Sequence, residues 1–139
     1  MKTTSLELSK RLKELGVKIE TEHVWVVEKK KQWVDYVRVW EMEIKDFGYG
    51  NDNGEDEAFI FYPAPIAEEL GEFLPSWLLI EGEIWLLRII KNPDEWGIYY
   101  ENDKHAGYIG TEGGGSILNE SLTNSMAEML IYLKEQNLI

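Results

Sequence analysis

The sequence holds no cysteine, and that absence removes disulfides, thiolate zinc sites and cysteine nucleophiles together. Histidine is scarce as well: there are two, His23 and His105, and neither stands in an HExxH or HxH spacing. His23 opens a strand-like run and His105 lies in a glycine-containing loop, so each reads as structural and neither as a catalyst or ligand. No stretch approaches the roughly 18 apolar residues of a membrane span, and the first residues carry no apolar signal segment. The sequence therefore predicts a soluble cytoplasmic protein with no membrane partner, no cofactor and no metal.

Basic residues are also few, 14 against 26 acidic ones, for a formal net charge of −12. They are unevenly placed. Residues 1–45 hold ten Lys or Arg against eight Asp or Glu, and residues 46–139 hold four against eighteen, so the two parts carry +2 and −14. A field of that sign repels phosphate backbones, which argues against direct nucleic-acid binding. The acidity serves solubility on the plainer reading, and on the sharper one it offers a surface that meets a basic partner or imitates nucleic acid.

What is present is a well-punctuated chain of 139 residues, a length that makes one domain with a substantial core. Thr4 or Ser5 can cap a helix with Leu8, Leu12 and Leu15 on one stripe, Thr4 and Glu7 have capping-box spacing, and Gly16 stands where a left-handed stop belongs. Residues 23–27 and 33–40 read as two strands joined by a polar link, hence an antiparallel pair. In the second, Val34, Tyr36, Arg38, Trp40, Met42 and Ile44 share the face expected to look toward the core.

The stretch 59–91 is the densest in structure. Phe59 to Tyr62 favour a strand that Pro63 ends. Pro65 suits a first helical turn, and Ile66, Leu70 and Phe73 or Leu74 recur at helical spacing until Pro75, so residues 65–74 form a short amphipathic helix. Trp77–Ile80 and Ile84–Ile90 are apolar runs separated by Glu81-Gly82-Glu83, a hairpin spacing. The second run is apolar on both faces, as in a central strand covered on both sides. Residues 96–100 give a further strand. From about Asn119 a C-terminal helix follows, capped by Asn119 or Ser121, with Leu118, Leu122, Met126, Met129, Leu130 and Leu133 on a broad apolar stripe. The fold class is thus α+β: a two-layer sandwich with a mainly antiparallel sheet of about five or six strands, a long C-terminal helix and two shorter helices.

Two polar segments, 46–57 and 102–116, interrupt this pattern and could order on binding a partner. Asn51 to Glu57 has the oxygen-rich composition of a calcium loop, yet Gly54 at the sixth position puts Tyr49 first and Ile60 twelfth, where carboxylates belong. Gly110 to Ser116 resembles a phosphate cradle but lacks the Lys-Ser/Thr pair and carries Glu112, so it reads as a connector. Glu81 and Glu83 are close in sequence, without the geometry that would make them an acid–base pair.

Six Trp, seven Tyr and four Phe are more rings than a small core needs. Most of the Trp residues serve packing between sheet and helices, while Trp33 and Trp77 are the first candidates for exposure. Exposed sheet aromatics make either an oligomer interface or a stacking surface for a planar ligand. The cluster Lys29-Lys30-Lys31, beside Trp33 and Arg38, is the one local positive patch and could attract an anionic group. Lys29, Lys30, Lys31, Trp33, Arg38 and Trp77 are accordingly the candidate interaction surface.

The blocks SLELSKRLKELGV, YPAPIAEELGEFLP and NSMAEMLIYLKEQNLI, in that order, resemble small uncharacterised proteins encoded by bacterial temperate phages and prophages. Their motifs are structural, so the resemblance implies a genomic setting and no reaction. The expectation is a non-enzymatic accessory protein that binds and modulates a host protein, with homo-oligomerisation open. The alternative is a protein that binds or sequesters a small anionic, nucleotide-like molecule on its sheet aromatics.

Overall fold

The computed structural model describes residues 2–29, 37–47, 59–110 and 117–139. Helix α1 (Leu6–Glu14) begins where Ser5 supplies its cap: the Oγ accepts the Leu8 N–H at 3.3 Å, satisfying one of the donors a helix start leaves unpaired. The cap is thus Ser5, and Thr4 instead spends its hydroxyl on Ser9, 2.9 Å away. Gly16 takes φ of +74°, the left-handed stop that glycine adopts without a Cβ penalty.

Strands β1 (His23–Glu28), β2 (Val39–Glu43) and β3 (Phe59–Pro63) form a small antiparallel sheet in the order β2-β1-β3, with Val24 opposite Met42 and Val26 opposite Phe61. Val24, Val26 and Phe61 are buried there with Met42 and Phe59 beside them. The β2 face expected to look inward does so at Met42. Trp40 is only partly covered, edge-on to Phe59 at 6.2 Å, and Arg38 is exposed. A single turn, α2 (Ile44–Phe47), follows β2.

After β3 come the short helix α3 (Ala67–Gly71), whose Ile66 N–H is held by the Glu69 side chain, and the hairpin β4 (Trp77–Ile80) and β5 (Glu83–Lys91). The hairpin turns on two residues, Glu81 (φ 52°) and Gly82 (φ 80°), the paired positive dihedrals that match the twist of adjoining strands. Strands β6 (Trp96–Asn102), β7 (His105–Ile109) and β8 (Ile117–Asn119) complete a larger antiparallel sheet of order β4-β5-β6-β7, with β8 pairing the start of β6. Helix α4 (Leu122–Glu135) closes the chain, capped by Ser121, whose Oγ accepts the Asn124 N–H.

The architecture is α+β, but the strands divide into two sheets where one of five or six was expected. The reason is a pairing choice that local pattern does not encode: β3 turns back to β1, so β4 begins a sheet of its own. Part of the expected polar segment 102–116 is also strand, because β6 runs to Asn102 and β7 follows after a two-residue turn. Leu118, assigned above to the helical stripe, lies on β8.

The main core forms where α1, α3 and α4 cover one face of the larger sheet. Leu12, Leu70, Met129 and Leu130 from the helices meet Leu78, Ile98, Tyr100 and Ile117 from the strands. Tyr100 is fully buried and its hydroxyl donates to the Pro75 carbonyl at 2.7 Å, which satisfies the one polar atom of a large apolar side chain. That burial pushes its pKa well up.

The small sheet is joined to this core through α1 and through the strap Lys2–Ser5. Lys13 of α1 donates to the Phe61 carbonyl at 3.0 Å and stands over the Tyr62 ring. In the strap, the Thr4 N–H reaches the Pro65 carbonyl, the Thr4 carbonyl accepts Trp25 Nε1 at 2.8 Å, and Thr3 bonds Glu41. The strap is also held by α4, where Thr123 donates to the Lys2 carbonyl and Asn124 accepts the Ser5 N–H.

Candidate functional site

Successive side chains of a strand point to opposite faces, so the register of the larger sheet sorts its residues into two sets. Leu78, Trp85, Leu87, Tyr100 and Ile98 look inward to the helices. The outward set is Trp77, Leu79, Ile84, Leu86, Ile90 and Leu118, with Arg88, Tyr99 and Glu101 among them. Large apolar members of that outward set are open to solvent: Trp77 is 55 % exposed, Leu79 64 % and Ile84 56 %. The expectation that β5 is covered on both faces is therefore corrected. Among the described residues the helices lie on one side of the sheet only.

Two apolar groups make up this outer face. Trp77, Leu79, Ile84 and Leu86 adjoin at the β4–β5 end, where Trp77 pairs with Leu86 and Leu79 with Ile84. Ile90 and Leu118 adjoin at the other end, on either side of Gly97. The Leu118 side chain lies over Gly97, 3.3 Å from where a Cβ would stand, so glycine here lets the β8 leucine close onto the sheet. Between the two groups Arg88 donates to Glu101, and this bond raises the guanidinium pKa further. These two opposite charges offset one another between the apolar groups, with Asp103 near enough to act on Arg88 as well.

Of the residues singled out from the sequence, the three that are described, Lys29, Arg38 and Trp77, do not gather at this face. Trp77 does stand on it, exposed as expected. Lys29 and Arg38 belong to the small sheet, exposed at the β1–β2 end, where Arg38 lies 3.7 Å from Glu28. Lys30, Lys31 and Trp33 fall outside the described residues, as do most of the segment 46–57, with its calcium-like composition, and the glycine run before Ser116. Trp25 and Trp96 are both engaged, the first by Thr4 and the second by Lys91, whose ammonium stands over the ring at 5.1 Å. Leu79, Ile84, Leu86, Ile90 and Leu118 did not stand out. The signal that could have found them was present, since β4 and β5 are apolar at nearly every position while the predicted helical stripes suffice to cover one sheet face.

Clefts lie elsewhere among the described residues. One, of about 630 Å³, runs between α1 and β3, lined by Leu12, Ile19, Phe61 and Pro65 with Lys13 and Lys18. Another, of about 360 Å³, is polar and lies at the strap, with Thr3, Ser5, Glu41 and Asn124 in its walls. Among the described residues no three His, Asp or Glu side chains are grouped as a metal site would need, and no helix is long and apolar enough to cross a membrane.

Fold and surface together define an α+β protein of two antiparallel sheets, the larger with one face covered by helices and one face apolar and open. Comparison with known proteins finds no matching family, no matching curated sequence and no matching solved structure.

Proposed function

We propose that this chain works by binding protein through the outer face of its larger sheet and performs no reaction of its own. The observation that carries the reading is the exposure of Trp77, Leu79 and Ile84 on one face of the sheet. Monomeric proteins seldom leave contiguous apolar surface of that kind, and an aromatic flanked by aliphatic side chains is the composition of a docking centre. An accessory role of the kind expected from the sequence, in which the chain modulates a host protein, belongs to this proposal. A photo-crosslinking residue placed at Leu79, in the full chain produced in a bacterial host, should yield protein adducts that the same residue at Asp94 does not. Absence of any protein adduct from Leu79 overturns the reading.

A second reading is favoured by the cleft between α1 and β3. Its volume is in the range of small-molecule sites, and Lys18 at its mouth suits a ligand with an apolar body and an anionic group. Native mass spectrometry of the protein recovered from cells separates the two. A bound mass below about one kilodalton belongs to a cleft ligand, whereas a stoichiometric protein belongs to the sheet face.

A further inference from the structure

We infer that the partner covering the outer face is a second copy of this chain, packed sheet on sheet. The inference rests on the protein-docking reading of that face and names its occupant.

Charge selects the partner first. The chain carries −12 overall, so a foreign partner drawn by electrostatics should be basic and should land where acids are exposed. The outer face is mainly apolar and its Glu101 is already paired with Arg88, so it offers such a partner little. What matches a mainly apolar surface is another of the same kind, and the chain itself has one.

Area is the second argument. From their fractional exposures, the six outward apolar residues present on the order of 600 Å², against about 800 Å² per partner in a standard interface. Tyr99, Arg88 and Glu101 on the same face contribute the remainder, so the buried surface reaches what a stable dimer needs.

The arrangement of the face also suits two-fold symmetry, in which each copy uses the same patch. Its two apolar groups lie on either side of the Arg88–Glu101 pair. A two-fold axis parallel to the sheet, crossing the strands at Arg88, lays the Trp77 group of one copy over the Ile90–Leu118 group of the other. Sheets packed in this way lie about 10 Å apart; the two Arg88 side chains then approach one another near the axis, and each must find the partner's Glu101 beside it to offset that repulsion.

The test is the solution mass of the full chain by sedimentation or light scattering, at about 100 μM, where even a micromolar dimer is formed. The expected mass is twice the 16.2 kDa of the chain. Leu79→Asp combined with Ile84→Asp should return it to a single chain while the far-UV circular dichroism stays unchanged, since both side chains are exposed in the lone subunit. Arg88→Glu and Glu101→Arg should each weaken the dimer, and mixing the two variants should restore it as a heterodimer. A monomeric wild type overturns the inference, and so does a dimer indifferent to all four substitutions. A monomeric wild type that still gives adducts of foreign protein from Leu79 would remove self-association and leave the docking reading standing.

Discussion

The two faces of the larger sheet have nearly the same composition and different surroundings. On the inner face Ile98 and Tyr100 are fully buried under three helices, whereas on the outer face Leu79 and Ile84 are more than half exposed. The difference teaches that apolar composition specifies a strand's need for cover, and the topology decides whether the same chain provides it. This chain has helices enough for one face.

Substitution can break that comparison at its strongest point. Ile98→Ala, which opens a cavity in the inner layer, should lower unfolding free energy by about 2–5 kcal/mol. Leu79→Ala, in dilute urea titrations of the single chain, should change it by no more than about 0.5 kcal/mol. Equal losses at the two positions would mean that both faces are covered within one copy.

A smaller effect sharpens the inner side. Tyr100→Phe keeps the ring and deletes the hydroxyl that donates to the Pro75 carbonyl, so it should cost about 1–2 kcal/mol. An unchanged urea midpoint would show that water replaces this bond and that the inner layer is less sealed than its burial indicates.

The smallest effect is one of pH. Glu128 of α4 is half-buried, and burial raises its pKa from the ordinary 4.5, partly offset by Asn119, which donates to Oε1 at 3.1 Å. The folded chain thus keeps this proton at a pH where the unfolded chain has released it. Its contribution to stability is full below about the ordinary value and fades as pH rises through the raised one. Glu128→Gln removes the fading, so the variant should gain on the wild type across that window, by less than about 1 kcal/mol because water screens a half-exposed carboxyl. Thermal melts at a series of pH values check it, and a difference that does not vary with pH would contradict the assignment.

Much of the local structure was legible. The cap and stop of α1 follow from Ser5 and Gly16, the β4–β5 turn from Glu81-Gly82, and α4 from the spacing of Met126, Met129, Leu130 and Leu133. These are decided by neighbours in sequence. The division into two sheets was not legible, because the return of β3 to β1 depends on residues more than thirty positions apart. Strand β7 was hidden by its short run around Gly107, and β8 by Leu118, which shares helical spacing with Leu122. Of the candidate surface, Trp77 was legible as an exposed aromatic. Its companions were not, because an apolar residue in a strand looks the same whether a helix covers it or solvent does.

The strap Lys2–Ser5 has a consequence for how the protein is made. Its bonds to Thr123 and Asn124 join residues 121 and 119 positions apart. During synthesis β1 can pair with β2 and β3, and the strap can take its bonds to Trp25, Glu41 and Pro65, before α4 exists, whereas its bonds to Thr123 and Asn124 wait for that helix. The strap therefore takes its last bonds from α4, and the same four residues then hold the small sheet and that helix together.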